Sequence, residues 1–179
     1  MDWAHIHIII NHFPIILEVM GALASVLAVV RPRRGAWLYA TASLTLAGIT
    51  VVPTYFTGAP ADHALNDPWY IVTRAIDSHE QSAKISAILT VLASLVAVVV
   101  WRRLVRYPRE VRVPTGLRIA VVVTSVAAAV SISYTSLLGG RIVHDAPGLN
   151  GRPPAGAPAQ AQPVAPRTAP PATTTPPAP

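Results

Sequence analysis

The sequence predicts an all-α integral membrane protein: a four-helix bundle, N-out and C-out, followed by a disordered Pro/Ala-rich C-terminal tail. Three observations lead there. Hydrophobic residues make up 52% of the chain and charged residues 12%, about half the charged share of an ordinary soluble domain. The apolar residues are gathered into four blocks, each near the ~20 residues that cross ~30 Å of hydrocarbon. Nine of the fourteen Lys and Arg residues fall in two short connections: Arg31, Arg33 and Arg34 in one, and Arg102, Arg103, Arg106, Arg109, Arg112 and Arg118 in the other. The positive-inside rule sets both connections in the cytoplasm, and therefore both termini outside.

Taken in order, the spans run over about 8–30, 36–56, 85–101 and 117–138. The start is not expected to be a cleaved signal peptide, because no positive segment precedes the first apolar block and no small-residue cleavage site follows it. Pro14 suits the first turn of the embedded part of span one, where a missing N–H matters least. RPRRG closes the first hairpin. Pro53 ends or kinks span two. Residues 57–84 form the main outer loop, with Trp69–Ile76 as a short interfacial helix and Ser78 with Gln81 as a capping box opening span three. The glycines at 139 and 140 end span four. Trp3 and Trp69 mark the outer interface, and Trp37 and Trp101 the inner one. Residues 1–146 are thus the transmembrane domain. The tail, 147–179, is Pro, Ala and Thr with too little apolar mass to offset its ordering entropy.

Small and hydroxyl residues recur at helical spacing: Thr41, Thr45 and Gly48 in span two, Ser86, Thr90 and Ala93 in span three, and Thr124, Ala128, Ser131 and Thr135 in span four. Such seams let helix backbones approach closely. The net charge of +6 does not point to nucleic acid, since the positive residues border hydrocarbon spans. There is no cysteine, which excludes disulfides, thiolate metal sites and covalently attached c-type haem within the chain. GxSxG, HExxH and phosphate-loop patterns are missing, so no catalytic residue is assigned.

The chemistry rests on histidine. All six, His5, His7, His12, His63, His79 and His144, map to the outer side. With 3.6 residues per turn, His5 and His12 share one face of the first helix, and His7, Asn11 and Glu18 fall on the opposite face. Glu18 sits inside an apolar span, where a carboxylate marks a function or a fixed partner. Lys84 is a candidate partner, although it can also pair with Glu80 one turn back. Two neutral imidazoles facing each other across a bundle suit haem b as axial ligands. Three or four imidazoles with a carboxylate suit zinc, copper or iron. Each histidine can also be a simple interfacial residue wetted by headgroups.

Four runs in order, HIHIIINHFPIIL, TYFTGAPA after span two, SHEQSA opening span three and LLGGRIVHD after span four, resemble the bacterial membrane family catalogued as domain of unknown function 2231. The likeness covers residues 4–146 and leaves out the tail. It implies a four-helix module of the bacterial inner membrane with outward histidines, and an association with haem-containing and other redox partners. His12, His79 and His144 occupy the motif positions.

Three functions follow as expectations. The first is a redox module holding haem b through His12 and His79, with His144, His5 or His7 as substitutes, and exchanging electrons with a periplasmic partner or quinol. The second is a cofactor-free structural or interaction subunit that anchors the Pro-rich tail. The third is a non-haem metal binding or transport site built from His12, His79, Glu18 and Glu80.

Overall fold

The structure is a computed structural model that describes residues 3–64, 73–107 and 113–144. Among these residues there are four helices and no strand: α1 (Trp3–Val30), α2 (Arg34–Ala64), α3 (Thr73–Arg106) and α4 (Thr115–His144). Neighbouring helices pack in chain order and α4 returns to α1, which closes an up-down-up-down ring. All four helices are long and apolar enough to cross a membrane, with mean hydropathy between 1.4 and 2.4 over their best windows. The distribution of side chains agrees. Leu23, Leu27, Ile49, Leu95, Val123 and Val130 face outward, while much of the interior is alanine, serine and threonine. A soluble bundle of this size would show the reverse. The chain is a multi-pass membrane protein.

The helices outrun the expected spans because polar flanks continue the same hydrogen-bond ladder. At 1.5 Å per residue they are about 42–51 Å long, against ~30 Å of hydrocarbon. Several local expectations change with them. Helix α3 begins at Thr73, so Ser78 and Gln81 lie within it and do not cap it. The glycines at 139 and 140 lie inside α4, which runs on to His144. Helix α2 passes through both Pro53 and Pro60 to Ala64. Pro14 lies well inside α1 and is buried. Its missing N–H leaves the Ile10 carbonyl without a donor from its own helix. The Thr54 hydroxyl, bonded to Thr50 O at 2.8 Å, stands 3.4 Å from that carbonyl. Neighbouring hydroxyls are the usual remedy for a proline in a membrane helix. Of the 69–76 segment, residues 69–72 lie outside the described residues and 73–76 open α3 rather than a separate helix; the tail from 147 lies wholly outside them.

The two ends of the bundle differ in kind. The "arginine end" carries Arg31, Arg33, Arg34, Arg102, Arg103, Arg106 and Arg118. It is sealed by a dry cluster of Ala28, Trp37, Leu44, Ala97, Val100, Leu104, Val113 and Val121. Trp37, expected at the lipid interface, is instead at the centre of this plug with no exposed surface. Arg34 fastens the plug by donating to Leu104 O at 3.0 Å, next to the negative end of α3. The opposite "histidine end", where α1 and α3 begin and α2 and α4 finish, has a polar interior.

Candidate functional site

Helix phase decides which histidines look inward. On α1 the buried face carries Asn11, Glu18 and Ser25, and His7 shares it, half-buried. His5 and His12 are on the opposite, exposed face. The His12 Nδ1–H donates back to Ile8 O at 2.7 Å, within its own helix. On α3, His79 is half-buried at the same end of the bundle. The expected His12–His79 pair is therefore not brought together. His7, and not His12, lies on the inner face at the end of the bundle where His79 is half-buried.

The two imidazoles are held alike. His79 Nδ1 lies 3.0 Å from Thr135 O. A carbonyl only accepts, so Nδ1 carries the proton and Nε2 keeps its lone pair. His7 Nδ1 lies 3.0 Å from Thr57 Oγ1, whose own proton goes to Thr54 O at 2.9 Å. The threonine oxygen must then accept, so His7 also donates through Nδ1 and keeps Nε2 free. A histidine whose distal N–H is fixed on a second-layer acceptor is the usual arrangement of a metal ligand. Each ring also rests on a glycine. A Cβ at Gly139 would stand 3.0 Å from His79 Cε1, and one at Gly58 would stand 3.7 Å from His7 Cε1. Each helix hairpin thus contributes one imidazole, one threonine acceptor and one glycine bed.

Below His79 the hydroxyls bond across α3 and α4. Ser82 Oγ and Thr135 Oγ1 are 2.6 Å apart, Ser86 Oγ and Thr135 Oγ1 2.7 Å, and Ser86 Oγ and Ser131 Oγ 2.7 Å. The hydroxyls nearer the arginine end are satisfied by backbone carbonyls: Thr41 by Trp37 O and Ser25 by Ala22 O within their own helices, and Ser94 by Thr45 O of α2.

The remaining expected site residues are scattered. Glu18 has no exposed surface and neither of its oxygens has a hydrogen-bond partner, so Lys84, which is exposed, does not hold it. Eleven residues separate Glu18 from His7, about 16 Å along the helix. Glu80 is exposed. His144 closes α4 and His63 lies in the last turn of α2, but their side chains fall outside the described residues. Among the described residues no three His, Asp or Glu side chains come together as a metal cage. Sequence reading missed Thr57, Gly58 and the bed made by Gly139. Their one-dimensional signal was only a small residue close in sequence to a threonine.

No family model matches the chain, and no curated protein or solved structure matches it at a significant level.

Proposed function

We propose that this protein is a redox module of a bacterial inner membrane, with both termini on the non-cytoplasmic side, and that His7 and His79 supply two axial ligands to haem b at that face. The orientation rests on the gathering of seven of the nine described arginines at the other end. The observation that carries the ligand reading is the matched pair of imidazoles, each with Nδ1–H committed to a threonine and Nε2 open. Two protein donors are what a haem iron requires, since the porphyrin supplies the other four. A structural zinc asks for four protein ligands. When bound, haem supplies reversible one-electron exchange. The chain's own part is to fix the two rings through Thr57 and Thr135 and to let them lie close to α2 and α4 over Gly58 and Gly139. The partner would be a periplasmic redox protein or a quinol. This reading agrees with the resemblance to the membrane family of unknown function 2231, of which we propose the chain to be a distant member.

A bare transition-metal ion is the second reading, since an imidazole with Nδ1–H fixed and Nε2 open suits such an ion as well. Protein purified in detergent from cells supplied with ample haem should show a Soret band. That band should vanish in His7→Ala and in His79→Ala and persist in His12→Ala. A colourless preparation carrying stoichiometric copper, iron or zinc would select the bare ion. One with neither colour nor metal would leave a cofactor-free structural or interaction subunit.

A further inference from the structure

We infer that Glu18 and Thr90 form a proton-binding site halfway along the bundle, reached from the histidine end through a file of hydroxyls and closed from the arginine end. The first observation is the pair itself. Glu18 on α1 and Thr90 on α3 both have no exposed surface, and Glu18 Oε1, Glu18 Oε2 and Thr90 Oγ1 all lack a hydrogen-bond partner. The missing bond is unusual for a threonine in these helices. Thr41, Thr45, Thr50, Thr54, Thr124 and Thr135 each donate to a carbonyl one turn back. Thr90 leaves that acceptor unused.

Register puts the two at one level. A Cβ at Gly21 would meet Leu44, and Thr54 reaches Ile10 O, so Glu18 stands opposite the stretch around Ala47 and Gly48. Thr90 O would lie 3.7 Å from a Cβ at Gly48, which sets Thr90 within about one helical turn of that stretch. No titratable residue faces this level among the described residues: α2 offers Leu44, Ala47 and Val51, α3 Ala93 and Ser94, and α4 Ala128 and Ile132. An ionised carboxylate with no countercharge and no donor is the costliest occupant of such a place. A monovalent metal cation would need several more oxygens than Glu18 and Thr90 provide. A proton needs one.

The second observation is the route. Ser25 faces Ser125 at 3.2 Å, so antiparallel register puts Glu18 of α1 at the level of Ser131 and Ile132 of α4. Ser131 is the inner end of the file Ser82–Thr135–Ser86–Ser131. For the file to run inward, Ser82 donates to Thr135, Thr135 to Ser86 and Ser86 to Ser131, so the Thr135 proton turns from Ser131 O to Ser86 Oγ. A proton arriving at Ser82 Oγ shifts each hydroxyl proton by one place as far as Ser131; the Ser131 hydroxyl then swings to the Glu18 carboxylate, which has no partner in this structure, and delivers the last proton to make a carboxylic acid. Only O–H bonds form and break, and no electron moves. Toward the arginine end no such chain continues among the described residues, where the Trp37–Leu104–Val121 plug fills the interior.

The site needs no bound cofactor, so a colourless preparation leaves its test standing. The full-length protein is labelled with carbon-13 glutamate, which limits the signal to Glu18, Glu80 and Glu110. Infrared difference spectra are recorded at neutral pH in water and after transfer to heavy water. A protonated-carboxyl band is expected that shifts on exchange, is missing in Glu18→Gln, and exchanges about tenfold more slowly in Thr135→Val. The wild-type band alone decides the matter if Glu18→Gln does not fold. Absence of that band, failure to exchange, or unchanged exchange in Thr135→Val would overturn the proposal.

Discussion

Leucine in place of Gly48 should leave no folded bundle to purify. Gly48 lies on α2 where α3 crosses it, and a Cβ there would overlap the Ser94 side chain. The obstacle is a short side chain close to its own backbone, so it cannot swing away. Alanine at this position already forces α2 and α3 apart, at about 1–3 kcal/mol for a modest overpacking. Leucine adds three more carbons to the same contact. Size-exclusion profiles should show aggregate for Gly48→Leu and a lowered melting temperature for Gly48→Ala. Adding Ser94→Gly to Gly48→Ala should restore most of the loss, since it returns the missing volume. A Gly48→Leu protein that melts like the wild type would show that α2 and α3 do not touch here.

The second large effect runs the other way. Glu18→Met should raise stability. The carboxyl is buried and neither oxygen is bonded, so the folded state bears a desolvation cost with no compensating contact. Removing one such unsatisfied group gains about 1–3 kcal/mol, and methionine keeps the volume. For a chain of this size that is roughly 3–10 °C in melting temperature, measured in detergent. A residue whose removal stabilises the fold is kept for something other than folding, and sites of that kind often trade stability for activity. A lowered melting temperature would mean that Glu18 makes a stabilising contact, and that the unsatisfied pair with Thr90 does not exist.

Much of the fold was legible in one dimension because lipid imposes a simple code. A span must be about 20 apolar residues long, and arginines border it on one side. The ends were less legible. Hydropathy reports where hydrocarbon stops and not where the helix stops, so Thr73–Lys84 reads as loop although it continues α3. Trp37 shows the same limit. Indole statistics place it at the interface, whereas its phase on α2 turns it toward Leu104 and Val121.

For the site, the 3.6-residue period correctly opposed His7, Asn11 and Glu18 to His5 and His12. It did not say which face was the inner one. The motif resemblance favoured His12, and only the packing of α2 against α1, through Thr57 and Thr54, shows that His7 holds the inner face. The hydroxyl seams on α2, α3 and α4 were visible as spacing. Their division into a bonded file near His79 and a lone Thr90 requires the register between helices, which no single helix contains.

The account depends on His7 and His79 meeting at the non-cytoplasmic mouth of the bundle, and the chain offers a direct way to test it because it has no cysteine of its own. Two double variants, His7→Cys/His79→Cys and His12→Cys/His79→Cys, are expressed and intact spheroplasts are treated with a short, membrane-impermeant bifunctional maleimide. Intramolecular cross-linking in the first variant and none in the second is the predicted result. Cross-linking of the second in place of the first, or protection of His7→Cys/His79→Cys until the membrane is opened, would contradict it.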